Sequence, residues 1–282
     1  MIELCGQSVG DGHPLLVIAG PDVIESEEHA VRHAAMLGEV CAKLGVPFVF
    51  KCSYDKANRT SGKSFRGPGL VEGMRVLASV KRKVGVSVLT DVHEVAQVSA
   101  VAEVVDVIQI PAFLCRQTDL VEAVARTGRG VNIKKGQFVA PKDMVHSARK
   151  AFEAGNRNVL VTERGATFGY NNLVVDMRGF LQMREAGLTV CFDATHSVQL
   201  PSAGAAESGG ERQFVSLLAR AAAAAGIHAL FTEVHENPDR APCDGPCSLT
   251  PELFERTLNE VLAIRRALGH ETATSLPSRR GK

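Results

Sequence analysis

The chain has 282 residues, 45% of them hydrophobic, with 32 Lys and Arg against 31 Asp and Glu, a formal net charge of +1. That length and apolar content suffice for one large domain or two ordinary ones, and near-neutrality supplies no global field for nucleic acid or an anionic membrane. No apolar run approaches the roughly 20 residues that cross a bilayer, and Met1-Ile2-Glu3-Leu4-Cys5-Gly6 lacks the pattern of a secretory leader.

Seven cysteines at irregular spacing do not read as a disulfide framework. A cytoplasmic, reduced protein is expected. Along the chain, short β-rich runs recur at Leu15–Ala19, Phe48–Phe50, Ser87–Thr90, Val107–Ile110, Gly130–Ile133, Val159–Thr162, Thr189–Phe192 and Ala229–Thr232. Helical stretches with apolar spacing of three and four lie between them, as in Val71-Met74-Leu77-Val80 and Leu253-Leu258-Val261-Leu262. Uniformly apolar strands imply burial on both faces, as in a parallel sheet. Units of roughly 30 residues, each a strand and a helix, predict a single (β/α)8 TIM barrel, with an open doubly wound sheet as the alternative. No Pro/Gly/Ser-rich linker divides the chain. The expected organisation is an N-terminal extension over 1–14, the catalytic barrel over 15–270 and a polar tail over 271–282.

A barrel of this kind places its chemistry at the C-terminal ends of its strands. Those ends read Gly20-Pro21-Asp22, Lys51-Cys52-Ser53, Asp91-Val92-His93, Gln109-Ile110-Pro111, Lys134-Lys135-Gly136-Gln137, Glu163-Arg164-Gly165, Asp193-Ala194-Thr195-His196 and Glu233-Val234-His235. Each carries a polar or ionisable group, whereas the opposite ends, such as Gly45-Val46-Pro47, are bland. Desolvating unpaired charge is costly, so a rim of this composition predicts an enzyme.

The rim divides in two. Lys51, Lys56, Lys134 and Arg164, with Arg59 nearby, form a cationic half suited to two phosphorylated substrates, or to a phosphate plus a carboxylate. Asp22, His196, Glu233 and Asp244 form a carboxylate–imidazole half able to hold Mn²⁺, Fe²⁺, Zn²⁺ or another divalent ion. The blander alternatives are a hydrogen-bonded strand-end histidine and an Asp244 that caps the Cys243-Asp244-Gly245-Pro246 turn. Cys243 and Cys247 are not read as zinc ligands.

Several long motifs carry a resemblance: Gly-Pro-x-x-Ile-Glu-Ser at 20–26, Lys-Ala-Asn-Arg at 56–59, Gln-Ile-Pro-Ala-Phe-Leu-Cys-Arg-Gln-Thr-Asp at 109–119 and Asn-Ile-Lys-Lys-Gly-Gln-Phe at 132–138. Thr-Glu-Arg-Gly at 162–165, Phe-Gly-Tyr-Asn-Asn-Leu-Val-Val-Asp at 168–176 and Asp-Ala-Thr-His-Ser-Val-Gln-Leu-Pro at 193–201 complete the set. Together they resemble the 3-deoxy-manno-octulosonate-8-phosphate synthase family, in colinear order from Leu15 to Leu268. The resemblance implies a (β/α)8 barrel, a homotetramer and no organic cofactor. It further implies condensation of phosphoenolpyruvate with arabinose 5-phosphate and water, an early step of lipopolysaccharide Kdo biosynthesis. By the same resemblance Lys51, Ser53, Lys56, Gln109, Lys134 and Arg164 hold phosphoenolpyruvate. Asn58, Arg59 and Asp91 fall to the sugar phosphate, with Arg59 on its phosphate and open to a role across a subunit boundary. Thr60 stands where the family has Ser, a hydroxyl for phosphate in either case. His196 and Asp244, with Lys56 and Asp91, are the candidate catalytic groups.

One position departs from the pattern. The family has Cys at position 22 in its metal-dependent members and Asn in its metal-independent members, whereas this chain has Asp22. Two readings follow: Asp22 ligates a harder ion such as Mn²⁺ or Mg²⁺, or it replaces Asn and only hydrogen-bonds. The Cys243-Asp244-Gly245-Pro246 run resembles the metal-independent branch. Two rivals complete the set of functions. A 3-deoxy-arabino-heptulosonate-7-phosphate synthase would act on erythrose 4-phosphate, but its loop typically reads Lys-Pro-Arg-Thr rather than Lys-Ala-Asn-Arg. A non-enzymatic sugar-phosphate binder would leave the carboxylate–imidazole half without a purpose.

Overall fold

A computed structural model of the chain describes residues 1–59, 61–201 and 209–270. Eight parallel strands close into a barrel in sequential order, each followed by a helix. The strands are β1 Leu16–Gly20, β2 Phe48–Lys51, β3 Ser87–Asp91, β4 Val107–Ile110, β5 Gly130–Lys134, β6 Val159–Glu163, β7 Thr189–Asp193 and β8 Ala229–Glu233. The helices are α1 Glu27–Leu44, α2 Leu70–Val84, α3 Val95–Ala102, α4 Thr118–Arg126, α5 Met144–Glu153, α6 Arg178–Glu185, α7 Val215–Ala225 and α8 Pro251–Ala267. The open doubly wound alternative is excluded, because β7 pairs with β6 on one side and β8 on the other, and β8 returns to β1.

Local chemistry explains the helix ends. Ser26 accepts a hydrogen bond from the His29 N–H at the start of α1, and Thr250 accepts one from Leu253 before Pro251 opens α8. Gly45 ends α1 in the left-handed conformation, φ 69°, where a side chain would be strained. One sequence expectation fails in detail. Val71, counted in the apolar stripe of α2, is 86% exposed, because it sits in the first turn and the buried face begins at Gly73, Met74, Val76 and Leu77.

The barrel interior is a cluster of its own: Leu16, Ile18, Val49, Leu89, Val107, Leu160, Cys191, Ala229 and Phe231. A hairpin of Ile2–Leu4 and Gln7–Val9 joins it, with Leu4 and Val9 fully buried. This hairpin closes the N-terminal mouth of the barrel, and Gly130 stays side-chain-free because a Cβ there would lie 2.4 Å from Leu4. Successive strand residues alternate between faces. The position two beyond each inward apolar residue therefore also points inward: Gly20 above Ile18, Lys51 above Val49, Asp91 above Leu89, Asp193 above Cys191 and Glu233 above Phe231.

Candidate active site

Most charged residues at the rim do not leave the strands; they end them. Lys51 pairs in register with Leu89, Asp91 with Gln109, Lys134 with Thr162, Asp193 with Phe231 and Glu233 with Gly20. Strands predicted to stop one residue earlier continue into the chemistry, because these side chains find partners across the lumen. Backbone pairing holds them more rigidly than a loop would. Gly20 permits this crowding: a Cβ there would fall 2.0 Å from the Lys51 carbonyl oxygen.

Lys51, Lys56, Asn58, Arg59, Asp91, Gln109, Lys134, Arg164, His196 and Asp244 all line one cavity of about 500 Å³. The expected substrate groups therefore converge, although they lie far apart along the chain. Ser53 is buried behind the wall, its hydroxyl bonded to Asp91, and Asp91 also takes His93 Nε2 at 3.0 Å. Asp22 and Glu233 are buried beside the cavity without lining it. Thr60 falls outside the described residues, as does the tail over 271–282. Arg59 bonds within its own chain, to the Pro242 carbonyl at 3.1 Å and to Cys243 Sγ. A more open depression between α3 and α4, lined by Val95, Ala102, Arg126 and Arg129, holds no comparable convergence.

The cationic and anionic halves interlock. Lys51 Nζ donates to the Asp22 carbonyl at 3.0 Å and to Glu233 Oε1 at 3.0 Å, and lies 3.5 Å from Asp22 Oδ1. Lys56 pairs with the same Asp22 oxygen. Burial works against the charge on both lysines, but Glu233 and Asp22 outweigh it, so both ammonium groups are held above their ordinary range. Burial likewise opposes an ionised Asp22, yet Lys56 and Lys51 hold it well below the usual carboxylate range. Glu233 goes the other way: burial and the Asp22 charge push it well above.

The imidazole of His196 faces Glu233 Oε1 at 3.5 Å and Asp244 Oδ2 at 3.6 Å through Nε2. Burial lowers its proton affinity against the pull of Asp193. Asp22, His196, Glu233 and Asp244 each offer a ligand atom, all within 4.8 Å of one another. Asp22 Oδ2 and Glu233 Oε2 are buried acceptors with no donor from any other residue, so a proton shared between the two carboxyls or a small cation would satisfy them. Asp244 adopts φ 51°, and its side chain turns to Gln199 Nε2 at 2.8 Å instead of capping its own turn.

Other groups were not singled out from sequence. Phe231, fully buried, lies under the lysines of the cavity, with Lys134 Nζ 3.4 Å and Lys51 Nζ 5.7 Å from its ring centroid. Gln199 takes Arg164 at 2.7 Å on its oxygen and gives its nitrogen to Asp244. Asp193 pairs with Lys134. Asn132 links Thr162 to Gln109, accepting at 2.6 Å and donating at 2.9 Å, which fixes the Gln109 amide. Asp193 and Glu163 stood among the strand ends, and the period-two pattern that brings Asp193 inward was available; the aromatic ring under the lysines left no such trace.

A model of the DAHP synthetase I family matches residues 3–267. Curated relatives named 2-dehydro-3-deoxyphosphooctonate aldolase are similar along most of the chain. That of Acidithiobacillus ferrooxidans is 60% identical over 245 residues, 87% of each chain. That of Methylococcus capsulatus is 59% identical over 266 residues, 94% of each. That of Alkalilimnicola ehrlichii is 55% identical over 263 residues, 93% of this chain and 95% of its own.

Proposed function

The chain belongs to the DAHP synthetase I family, and on that premise we propose that it condenses phosphoenolpyruvate with arabinose 5-phosphate and water. The products are 3-deoxy-D-manno-octulosonate 8-phosphate and inorganic phosphate, an early step of lipopolysaccharide Kdo biosynthesis. The observation that carries this reading is the single cavity into which Lys51, Lys56, Lys134, Arg164 and Arg59 converge beside a carboxylate–imidazole set. The names of the relatives favour the octulosonate reading over a heptulosonate synthase.

A carbon–carbon bond forms between C3 of the enol and the aldehyde carbon, water adds at C2, and the phosphate departs. Charge moves onto the aldehyde oxygen and the leaving phosphate, so prearranged cations stabilise the change. Lys134 and Arg164 serve the phosphoenolpyruvate phosphate and carboxylate, with Lys51, Lys56 and Gln109. Lys134 and Arg164 are both lowered by burial, and an anionic ligand would restore the charge balance. Ser53 acts through Asp91. Asn58, Arg59 and Asp91 serve the sugar phosphate, with Thr60 as a further hydroxyl. His196 and Asp244 orient the water; without a bound ion, a neutral His196 accepts its proton at Nε2.

Asp22, His196, Glu233 and Asp244 fit a divalent ion bound by oxygen and nitrogen. Asp22 presents a hard oxygen, which favours Mn²⁺ or Mg²⁺ over the softer Fe²⁺ and Zn²⁺. Such an ion, when bound, supplies Lewis acidity next to the reacting oxygens. The second reading makes Asp22 an ion-pair partner alone, and its contacts with Lys51 and Lys56 favour it.

We further infer a homotetramer in the cytoplasm. Phe113, Phe138, Phe168 and Tyr170, on loops after β4, β5 and β6, are 54%, 58%, 69% and 86% exposed, an aromatic surface suited to a second copy. No described helix is long and apolar enough to cross a membrane. Phosphate release from phosphoenolpyruvate tests the function. It is expected with arabinose 5-phosphate and not without aldehyde; faster release with erythrose 4-phosphate would overturn the assignment.

A further inference from the structure

Asp193 ends β7 with no exposed surface. Its Oδ1 accepts from the Thr195 N–H at 3.2 Å, the Thr195 hydroxyl at 3.0 Å and the His196 N–H at 2.9 Å. Three donors on one oxygen fix the turn that carries His196. Its Oδ2 pairs with Lys134 Nζ and lies 2.8 Å from His196 Nδ1. One carboxylate thus touches a member of each half of the cavity.

We propose that Asp193 is a positioning residue that keeps Lys134 charged and seated on Phe231, ready for the anionic end of phosphoenolpyruvate, while anchoring the His196 turn. The proposal rests on the condensation reading and adds a residue to it. The surroundings of Lys134 make the case. Below it is an aromatic face at 3.4 Å, which attracts a cation but carries no counter-charge. Among the described residues, the charged and titratable groups that act on it most are Asp193 and Cys191 from β7 and Lys51 from β2, with His196 beyond. Lys51 repels it, the Cys191 thiol is pushed up to about 12 by burial, and His196 is a neutral or cationic ring. Among the described residues, Asp193 is the one carboxylate in ion-pair contact with Lys134. Burial already lowers the proton affinity of Lys134 despite that carboxylate. Deleting the carboxylate charge leaves a buried ammonium with no counterion, which sheds its proton. A neutral amine attracts phosphate far less than an ammonium does.

The test measures phosphoenolpyruvate binding by calorimetry at about pH 6.5 and about pH 9, with steady-state kinetics and thermal melts alongside. For Asp193→Asn, binding at the higher pH is expected to weaken by about 30-fold or more and to recover partly at the lower pH. KM for phosphoenolpyruvate should rise far more than KM for arabinose 5-phosphate. A packing defect would weaken binding equally at both pH values, and that result would overturn the proposal. The doubly neutral variant Asp193→Asn/Lys134→Met guards against misfolding, because removing both partners of a buried pair is tolerated better than removing one. It should bind phosphoenolpyruvate as Lys134→Met alone does; a loss equal to the product of the two single losses would overturn the role. Failure here is separable from failure of the function: wild-type protein that releases no phosphate with arabinose 5-phosphate sinks the condensation reading. Normal wild-type turnover with unchanged binding in Asp193→Asn sinks only this inference.

Discussion

Replacing Lys51 by Met removes one ammonium and little volume from a deeply buried ion cluster. In wild type that ammonium bonds to Glu233 Oε1 and the Asp22 carbonyl, each at 3.0 Å, and lies 3.5 Å from Asp22 Oδ1. Asp22 keeps Lys56, so the loss falls on Glu233. Breaking one side of a buried ion pair costs about 3–5 kcal/mol. Glu233 offsets part of this by taking up a proton, since burial and Asp22 already push it up, and a net loss of about 3 kcal/mol is expected. At about 2 °C per kcal/mol for a domain of this size, the melting temperature falls by roughly 6 °C. The sign of the pH dependence follows. A carboxyl whose folded pKa lies above its unfolded value stabilises the fold while protonated, fully so below the unfolded value. That contribution is lost as pH rises through the folded value. The deficit of Lys51→Met should therefore shrink in acid and grow in base. Adding Glu233→Gln removes the stranded group and should recover about half of the lost stability without restoring activity. Scanning fluorimetry at two pH values on the single and double variants decides it. A double variant no more stable than the single, or a deficit independent of pH, would refute the reasoning.

Arg164→Met should raise KM for phosphoenolpyruvate by about 100-fold, the loss of a charge-assisted contact, while arabinose 5-phosphate KM and melting temperature change little; steady-state kinetics checks it. Dialysis against chelator should abolish turnover and added Mn²⁺ should restore it, with Mg²⁺ second; undiminished turnover would leave Asp22 as an ion-pair partner only. His29, buried beside His33 and His235 with Glu25 Oε1 3.6 Å from its Nε2, has its pKa lowered to about 4 by burial and then by His33, against the pull of Glu25. A depressed histidine is stabilising in its neutral form, so stability falls as pH drops from about 6.5 to about 4, by about 2 kcal/mol after allowing for partial solvent screening. His29→Leu should flatten that acid limb in melts across the range.

The barrel was readable because parallel strands buried on both faces leave near-continuous apolar runs, and because ionisable residues fell at one end of each run. On that basis Lys51, Lys134 and Arg164 group together from sequence. What the run pattern hid was connectivity. Asp193 looked like one acid among eight rim groups, and only its place above Cys191 puts it beside Lys134. Phe231 reads as one more apolar strand residue, yet it is the surface on which two lysines rest. Gln199 follows His196 on a turn with no periodicity to betray its bridge from Arg164 to Asp244. Val71 erred in the opposite direction, since apolar spacing does not say where along a helix the neighbour begins.

The N-terminal hairpin turns the barrel into a well with one opening. Lys51 and Lys134 lie at its base with 0% and 5% of their surface exposed, whereas Asn58 is exposed and Arg59 half-buried at the lip. Whatever rests on the base is trapped beneath whatever rests at the lip. With phosphoenolpyruvate proposed at the base and the sugar phosphate at the lip, loading should follow the rule of a stack: the three-carbon acid descends first, the sugar phosphate seals it in, and a sugar arriving early blocks the shaft. Excess arabinose 5-phosphate should accordingly inhibit turnover competitively against phosphoenolpyruvate.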